Sequence, residues 1–427
     1  MFAKIKNIKT VQNFFYLGLS QGINLLVPIV IVPYLIKTVG IEKFGVIALV
    51  QTISSFFYIF TDYGFNITAV KSLSINRYDD LKVSEITNQV LSTKLLLTVI
   101  SLPIFIAVNW YFLKENASLS FILMNFMLVL GQAFLPIWLF QGLERNQYIA
   151  YANFFSKILF VFSLVIFVRK ENDFILCNFL LGLTNFLSGI GITLYFIKRY
   201  KKQSIHFFIP FSLIKEQLKD GKEIFISNFS INTYINSNIL ILALFASPRL
   251  VGIYSIAEKI IFLIRSLLGI YIQAIYSSAC QIAQKRRYIY FKSFINTYTI
   301  ILLVAVSFVL IVLNFYSLEI VSLLSKQNTI ELSHYVKVLS FVPFVVALNI
   351  SSYVTLLAYN YKLYNARILI AGALLSLILN FVLVPQLLIN GTIISILITE
   401  LFITLSLRLA VFHLNKKDKF NEAYIQQ

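Results

Sequence analysis

Five ionisable side chains stand where the surrounding residues are almost all apolar. Lys157 lies near the middle of one apolar run; Glu258, Lys259 and Arg265 lie in another, and Glu400 in a third. Seven residues separate Glu258 from Arg265, close to two helical turns, so a helix places both on one face. Amides form a second pattern. Asn228, Asn232 and Asn236 recur at i, i+4, i+8, and Ser20, Gln21 and Asn24 make a comparable stripe earlier in the chain. Asn153 precedes Lys157 by four residues on the same helical face. Amides alone could serve as hydrogen bonds between neighbouring helices. A full charge is more than such packing needs, so Arg265 and Lys157 point to a hydrated chamber that receives a polar or charged group. Lys259 is expected to pair locally with an acid. For Glu258, Glu400 and Asp62 two readings stand side by side: proton coupling, or ion pairing and helix capping.

The elements that hold these residues follow from composition. Of 427 residues 59% are hydrophobic and 13% charged, whereas a soluble domain carries about 25% charged. One globular core cannot hide that much apolar surface. The 40 Phe and 24 Tyr exclude disorder, and two cysteines, Cys177 and Cys280, exclude a disulfide scaffold. The class that remains is an all-α polytopic membrane protein. Runs of about 20 apolar residues predict twelve spans, at 13–36, 44–61, 90–112, 119–140, 149–168, 174–197, 224–246, 250–277, 295–318, 335–359, 364–386 and 391–413. The first run lacks a cleavage pattern and is expected to be a retained helix. Prolines 28, 33, 103, 136 and 343 fall inside spans and read as kinks.

The basic residues agree with that count. With the N-terminus in the cytoplasm, 25 of the 36 Lys and Arg fall on the cytoplasmic side and eight on the other. This asymmetry predicts cytoplasmic N- and C-termini. Lys94 and Arg367, near span ends, are expected to snorkel. The longest cytoplasmic link divides the chain into bundles at 1–200 and 224–427, with a linker at 201–223. Within it Ile205–Gly221 mixes aromatic and basic residues, as an interfacial amphipathic helix or a plain tether would. A faint duplication supports two halves. Ser20-Gln21 precedes Phe44-Gly45 as Ser227-Asn228 precedes Val251-Gly252, 25 residues from Ser to Gly each time. Repeats of this kind commonly hold a transporter's substrate between them, which predicts a polar cavity lined by the first, second, seventh and eighth spans.

Other chemistries lack their residues. The net charge of +18 reflects cytoplasmic loops, so no nucleic-acid partner is expected. Gly221-Lys222 is followed by Glu223 and lacks the earlier glycine of a phosphate-cradling loop. The three histidines, His206, His334 and His413, are scattered, so neither metal nor other cofactor is expected. Asp79-Asp80 reads as a solvated pair. With no long outward loop rich in acids, an enzyme is not expected.

Several stretches together resemble Wzx-type O-antigen flippases. They are Pro136-Ile-Trp138-Leu-Phe140-Gln141-Gly142-Leu-Glu144-Arg145, then Gly40 through Phe44-Gly45 with Asp62-Tyr63-Gly64. Val251-Gly-Ile-Tyr254-Ser255-Ile-Ala257-Glu258-Lys259 follows, and the corner from Asn380 through Pro385 to Gly391–Glu400 completes the set. The resemblance implies the multidrug/oligosaccharidyl-lipid/polysaccharide exporter fold, two six-helix bundles around a central V-shaped cavity. It implies alternating-access transfer of an undecaprenyl-diphosphate-linked oligosaccharide between leaflets of the bacterial inner membrane. A polysaccharide polymerase and a chain-length regulator are the implied partners. Arg265, Lys157 and Lys259 suit the diphosphate, and Asn24, Asn153, Asn228, Asn232 and Asn236 suit sugars. Membrane potential, or a proton or cation gradient, would supply the drive. A multidrug cation antiporter of the same fold and a polytopic glycan polymerase or glycosyltransferase are the competing readings.

Overall fold

In the computed structural model the described residues are 2–114, 118–199, 210–285, 288–325, 329–416 and 420. Among them the chain is a succession of helices without strands. The first unit contains α1 (Phe2–Asp62), α2 (Phe65–Asn76), α3 (Asp80–Leu113), α4 (Leu119–Ala133), α5 (Ile137–Gly142), α6 (Asn146–Phe167) and α7 (Phe174–Arg199). Next comes α8 (Phe211–Phe245). The second unit continues with α9 (Pro248–Lys285), α10 (Tyr288–Phe315), α11 (Ser317–Leu324), α12 (Thr329–Leu339), α13 (Phe341–Ala358), α14 (Lys362–Leu387) and α15 (Ile389–Lys416). The two compact units are Met1–Thr233 and Tyr234–Gln427, and the division falls within α8.

Every expected span lies in helix, and the departures have local causes. Spans one and two fuse into α1, which bends at Gly40 (φ 80°, ψ 167°), a backbone region open essentially to glycine. Pro28 and Pro33 stay inside that helix. The fourth span breaks before Pro136, which precedes α5, since the residue before a proline disfavours helix. The tenth breaks at Ser340, which puts Pro343 in the first turn of α13, where a missing N–H costs least. Ten stretches of the described residues are long and apolar enough to cross a membrane. One of them, Gly18–Asn76, carries both of the first two expected spans. The seventh, within α8, is not among the ten, because Asn228, Asn232, Asn236 and Asn238 lower its hydropathy.

Two expectations about connections change. Phe211–Gly221 is the first part of α8, not a separate interfacial helix; the rest of that segment and the linker's 201–209 lie outside the described residues. Asp79 is not merely a solvated acid. Its carboxylate accepts the Leu81 and Lys82 backbone N–H groups and caps α3.

Within a bilayer, close backbone approach and polar contacts between helices replace the hydrophobic drive. In the first unit α4 and α7 meet at Gly131 and Gly182, where any Cβ would overlap the opposing backbone. Phe65, Leu73, Val83, Trp138, Phe140 and Phe196 form the buried cluster that ties α2, α3, α5 and α7 together. In the second unit Phe291, Leu302, Ile350, Val354 and Leu407 bury α10, α13 and α15 against one another. These packed bundles fix the helices that carry the polar residues.

Candidate functional site

The second unit holds a cavity of about 210 Å³. α9 contributes Tyr254, Glu258, Phe262, Arg265 and Ser266, α8 contributes Ile235 and Asn238, and Leu339, Val342 and Ile396 close the wall. The two-turn spacing therefore does what it was expected to do, placing Glu258 and Arg265 on one lined face.

One carboxylate oxygen organises the base of this site. Glu400 Oε1 accepts the Tyr234 hydroxyl at 2.6 Å and Arg265 Nη2 at 3.1 Å. Glu400 is 4% exposed and Arg265 33%, so the acid lies behind and the guanidinium reaches forward. Arg has five N–H donors in a planar fork, and the contact with Glu400 uses one nitrogen. Arg265 is thus both paired and adjacent to open space. Glu400, expected to couple protons or to pair, is engaged as an ion-pair partner.

Two other groups face the cavity without hydrogen-bond partners among the described residues. The Glu258 carboxylate is one. The hydroxyl of Tyr254, a fully buried residue, is the other. Lys259, adjacent in sequence, is half-buried with interactions of its own and is not in the cavity wall. Beside the cavity Asn238 Oδ1 accepts from Asn380, whose amide nitrogen also reaches Ser395 Oγ at 2.9 Å.

In the first unit the expected residues separate into different roles. Asn153 donates to the Ser20 hydroxyl, joining α6 to α1. Lys157, one turn further along α6, is half-buried and makes no hydrogen bond or ion pair among the described residues. Asn232 exchanges hydrogen bonds with Ser55 at 3.2–3.3 Å, the helix-to-helix role that amides commonly take. Asn24 is exposed and Asn228 partly so; Asn236, already in the second unit, is half-buried and engaged.

Lys94 departs from expectation. Instead of snorkelling it is 1% exposed and bonds Asp62 Oδ1 at 3.0 Å. The acid at the end of α1 gives the ammonium a partner inside the protein, so the chain need not reach for water. The same pairing occupies Asp62, one of the three carboxylates considered for coupling.

Sequence reasoning missed Tyr234, Tyr254 and Asn238 as site components. With 24 tyrosines in the chain, residue type alone did not distinguish the two that matter. Asn238 lies two residues beyond the i, i+4, i+8 stripe and so falls on a different face. Asn380 was visible only as part of a loose motif.

A helical membrane protein of two bundles, with charged side chains held inside each of them, defines a transporter-like architecture. Comparison with known proteins agrees. Residues 10–276 match the family model described as polysaccharide biosynthesis protein. A protein of Escherichia coli (strain K12) named "Putative O-antigen transporter" is 30% identical over 95% of this chain and 97% of its own length. A Shigella dysenteriae protein of the same name is 26% identical over 58% of this chain and 62% of its own length. The chain belongs to the polysaccharide biosynthesis protein family, and its resemblance to O-antigen flippases is borne out.

Solved structures show the same fold at low identity. An inward-facing multidrug MATE transporter of the MOP superfamily superposes with TM-score 0.73 at 14% identity, over 95% of this chain and 96% of that one. The lipid II flippase MurJ, inward closed, gives TM-score 0.64 at 13% identity, over 97% and 90%. The protein is a multi-pass bacterial membrane protein with this two-bundle fold.

Proposed function

We propose that the protein moves an undecaprenyl-diphosphate-linked oligosaccharide from the cytoplasmic to the outer leaflet of the inner membrane by alternating access, with both termini in the cytoplasm. The named relatives support a polysaccharide-precursor transporter. The observation that carries the reading to a site is the forward-facing Arg265 guanidinium, held by buried Glu400 at the edge of an open cavity.

A diphosphate crossing a bilayer has to exchange water for donors of comparable strength. Arg265 offers planar N–H groups matched to phosphate oxygens, and the Tyr254 hydroxyl offers a neutral donor. Lys157 in the first unit supplies a second cation, one with no acid paired to it among the described residues. The amides and hydroxyls suit sugar hydroxyls. With the cell interior negative, outward movement of each negative charge is downhill by about 2.3 kcal/mol per 100 mV. The transfer then needs neither nucleotide nor metal, and no covalent step. A polymerase and a chain-length regulator would act on the delivered repeat unit.

The Glu258 carboxylate in the cavity favours a second reading, a cation antiporter of the same fold. A test in cells separates them. In a strain lacking its own flippase, this protein should restore surface glycan, Arg265→Ala should abolish it with membrane insertion intact, and Arg265→Lys should restore part. Full surface glycan in the Ala variant would remove Arg265 from the mechanism. Export of organic cations without any surface glycan would favour the antiporter.

A further inference from the structure

The cavity beside Arg265 contains an internal contradiction if its only task is to receive an anion. Arg265 already faces one carboxylate, Glu400, at 3.1 Å. Glu258 presents a second to the same space, with Lys259 and Arg265 as its cationic neighbours but no hydrogen bond among the described residues to hold it. A phosphate oxygen entering here meets a guanidinium already paired with one carboxylate, in a cavity lined by a second.

We propose that Glu258 is the proton-accepting gate of this cavity: an anion settles beside Arg265 together with one proton, which Glu258 takes from water. The inference rests on the reading that an anionic headgroup enters this cavity. Proton uptake changes Glu258 in two ways at once. It removes a negative charge beside the incoming one, and it converts an acceptor-only group into an O–H donor. The Tyr254 hydroxyl, buried one turn earlier and without a hydrogen-bond partner among the described residues, is a second neutral donor on the same wall. Together with Arg265 these give an anion three donors where the empty cavity offers two donors and a repelling charge.

The surroundings single out this carboxylate. On α9 the charged and titratable neighbours are Tyr254, Lys259 and Arg265, with Lys259 outside the cavity wall. From α8 come Asn238 and, behind Arg265, Tyr234; from α15 comes Glu400. Leu339 and Val342 face the cavity from α12 and α13, and both are apolar. Glu400 accepts two hydrogen bonds through one oxygen, and protonating it would loosen Arg265. Asp62 lies in the other unit, where protonation would strand the buried Lys94 ammonium. Glu258 alone of the three can change charge without breaking a bond among the described residues.

The test is calorimetric titration of farnesyl diphosphate into the detergent-purified full chain. It is run in two buffers of different ionisation enthalpy at several values between about pH 6 and pH 8, with wild type, Glu258→Gln, Glu258→Asp and Arg265→Ala compared. Because the same probe titrates in every sample, its own protons cancel in the comparison. Wild type should take up roughly one more proton per bound diphosphate than Glu258→Gln, and lose up to about tenfold more affinity per pH unit on the alkaline side. Glu258→Asp should keep the extra proton even if the Gln variant folds poorly. Equal proton uptake in wild type and Glu258→Gln would overturn the role of Glu258 while leaving anion binding in place. Failure of wild type to bind the diphosphate at any pH would overturn the anionic reading of the cavity, and this inference with it.

Discussion

Lys94 and Lys157 show how differently one residue type is used at membrane depth. Lys94 is sealed against Asp62, and removing either partner leaves an uncompensated buried charge, which costs about 3–5 kcal/mol. Lys94→Ala should therefore lower the thermal unfolding midpoint and the yield of monodisperse protein, and a paired Asp62→Leu, Lys94→Met variant should recover most of the loss. A Lys94→Ala protein as stable as wild type would show that the pair contributes nothing. Lys157 has no such partner among the described residues. Its replacement by Ala should leave stability within about 0.5 kcal/mol and reduce surface glycan, with Arg restoring it; unchanged glycan would exclude Lys157 from cargo contact. The sequence shows that both lysines lie in apolar runs, because charge and hydropathy are local properties. It does not show which one has an acid opposite, since Asp62 and Lys94 are 32 residues apart and only the fold brings them together. Glu258 and Arg265 were legible as a pair for the opposite reason, since a single helix sets their geometry.

At the level of helices, eleven of the twelve expected spans lie in stretches long and apolar enough to cross a membrane; the bend at Gly40 and the break before Pro136 followed glycine and proline, while the ninth span breaks at Tyr316 with neither. What apolar length could not supply was how tightly two helices approach. Gly182 on α7 would meet the Met127 and Leu128 backbone on α4 if it carried a Cβ, whereas Gly191, nine residues along, has nothing within 4 Å. Overpacking of this kind costs typically about 1–3 kcal/mol. Gly182→Ala should destabilise the first unit by that amount in a thermal-shift measurement, and Gly191→Ala should be near neutral. Equal effects at the two positions would mean that the α4–α7 approach is looser than it stands here. The fused α1 makes a related point. Gly40 marks the boundary between two spans by a bend within continuous helix.

For the molecule as a whole, composition was enough to establish the membrane class, and the motif order was enough to reach the family. The site was only half visible. Its charged members lie on helix faces that periodicity can read, while Tyr234, Tyr254 and Asn238 join through packing that periodicity does not record. The central claim is that the protein carries a lipid-linked anion across the bilayer using Arg265. Its most direct measurement is translocation of a radiolabelled undecaprenyl-diphosphate oligosaccharide in proteoliposomes containing the purified chain, read as the fraction reachable by an impermeant glycosidase. Wild type should transfer the lipid between leaflets, faster when a potential draws the anion across, with Arg265→Ala at the level of protein-free vesicles and Arg265→Lys between. Transfer by Arg265→Ala at the wild-type rate, or none by well-folded wild type under either polarity, would contradict the account.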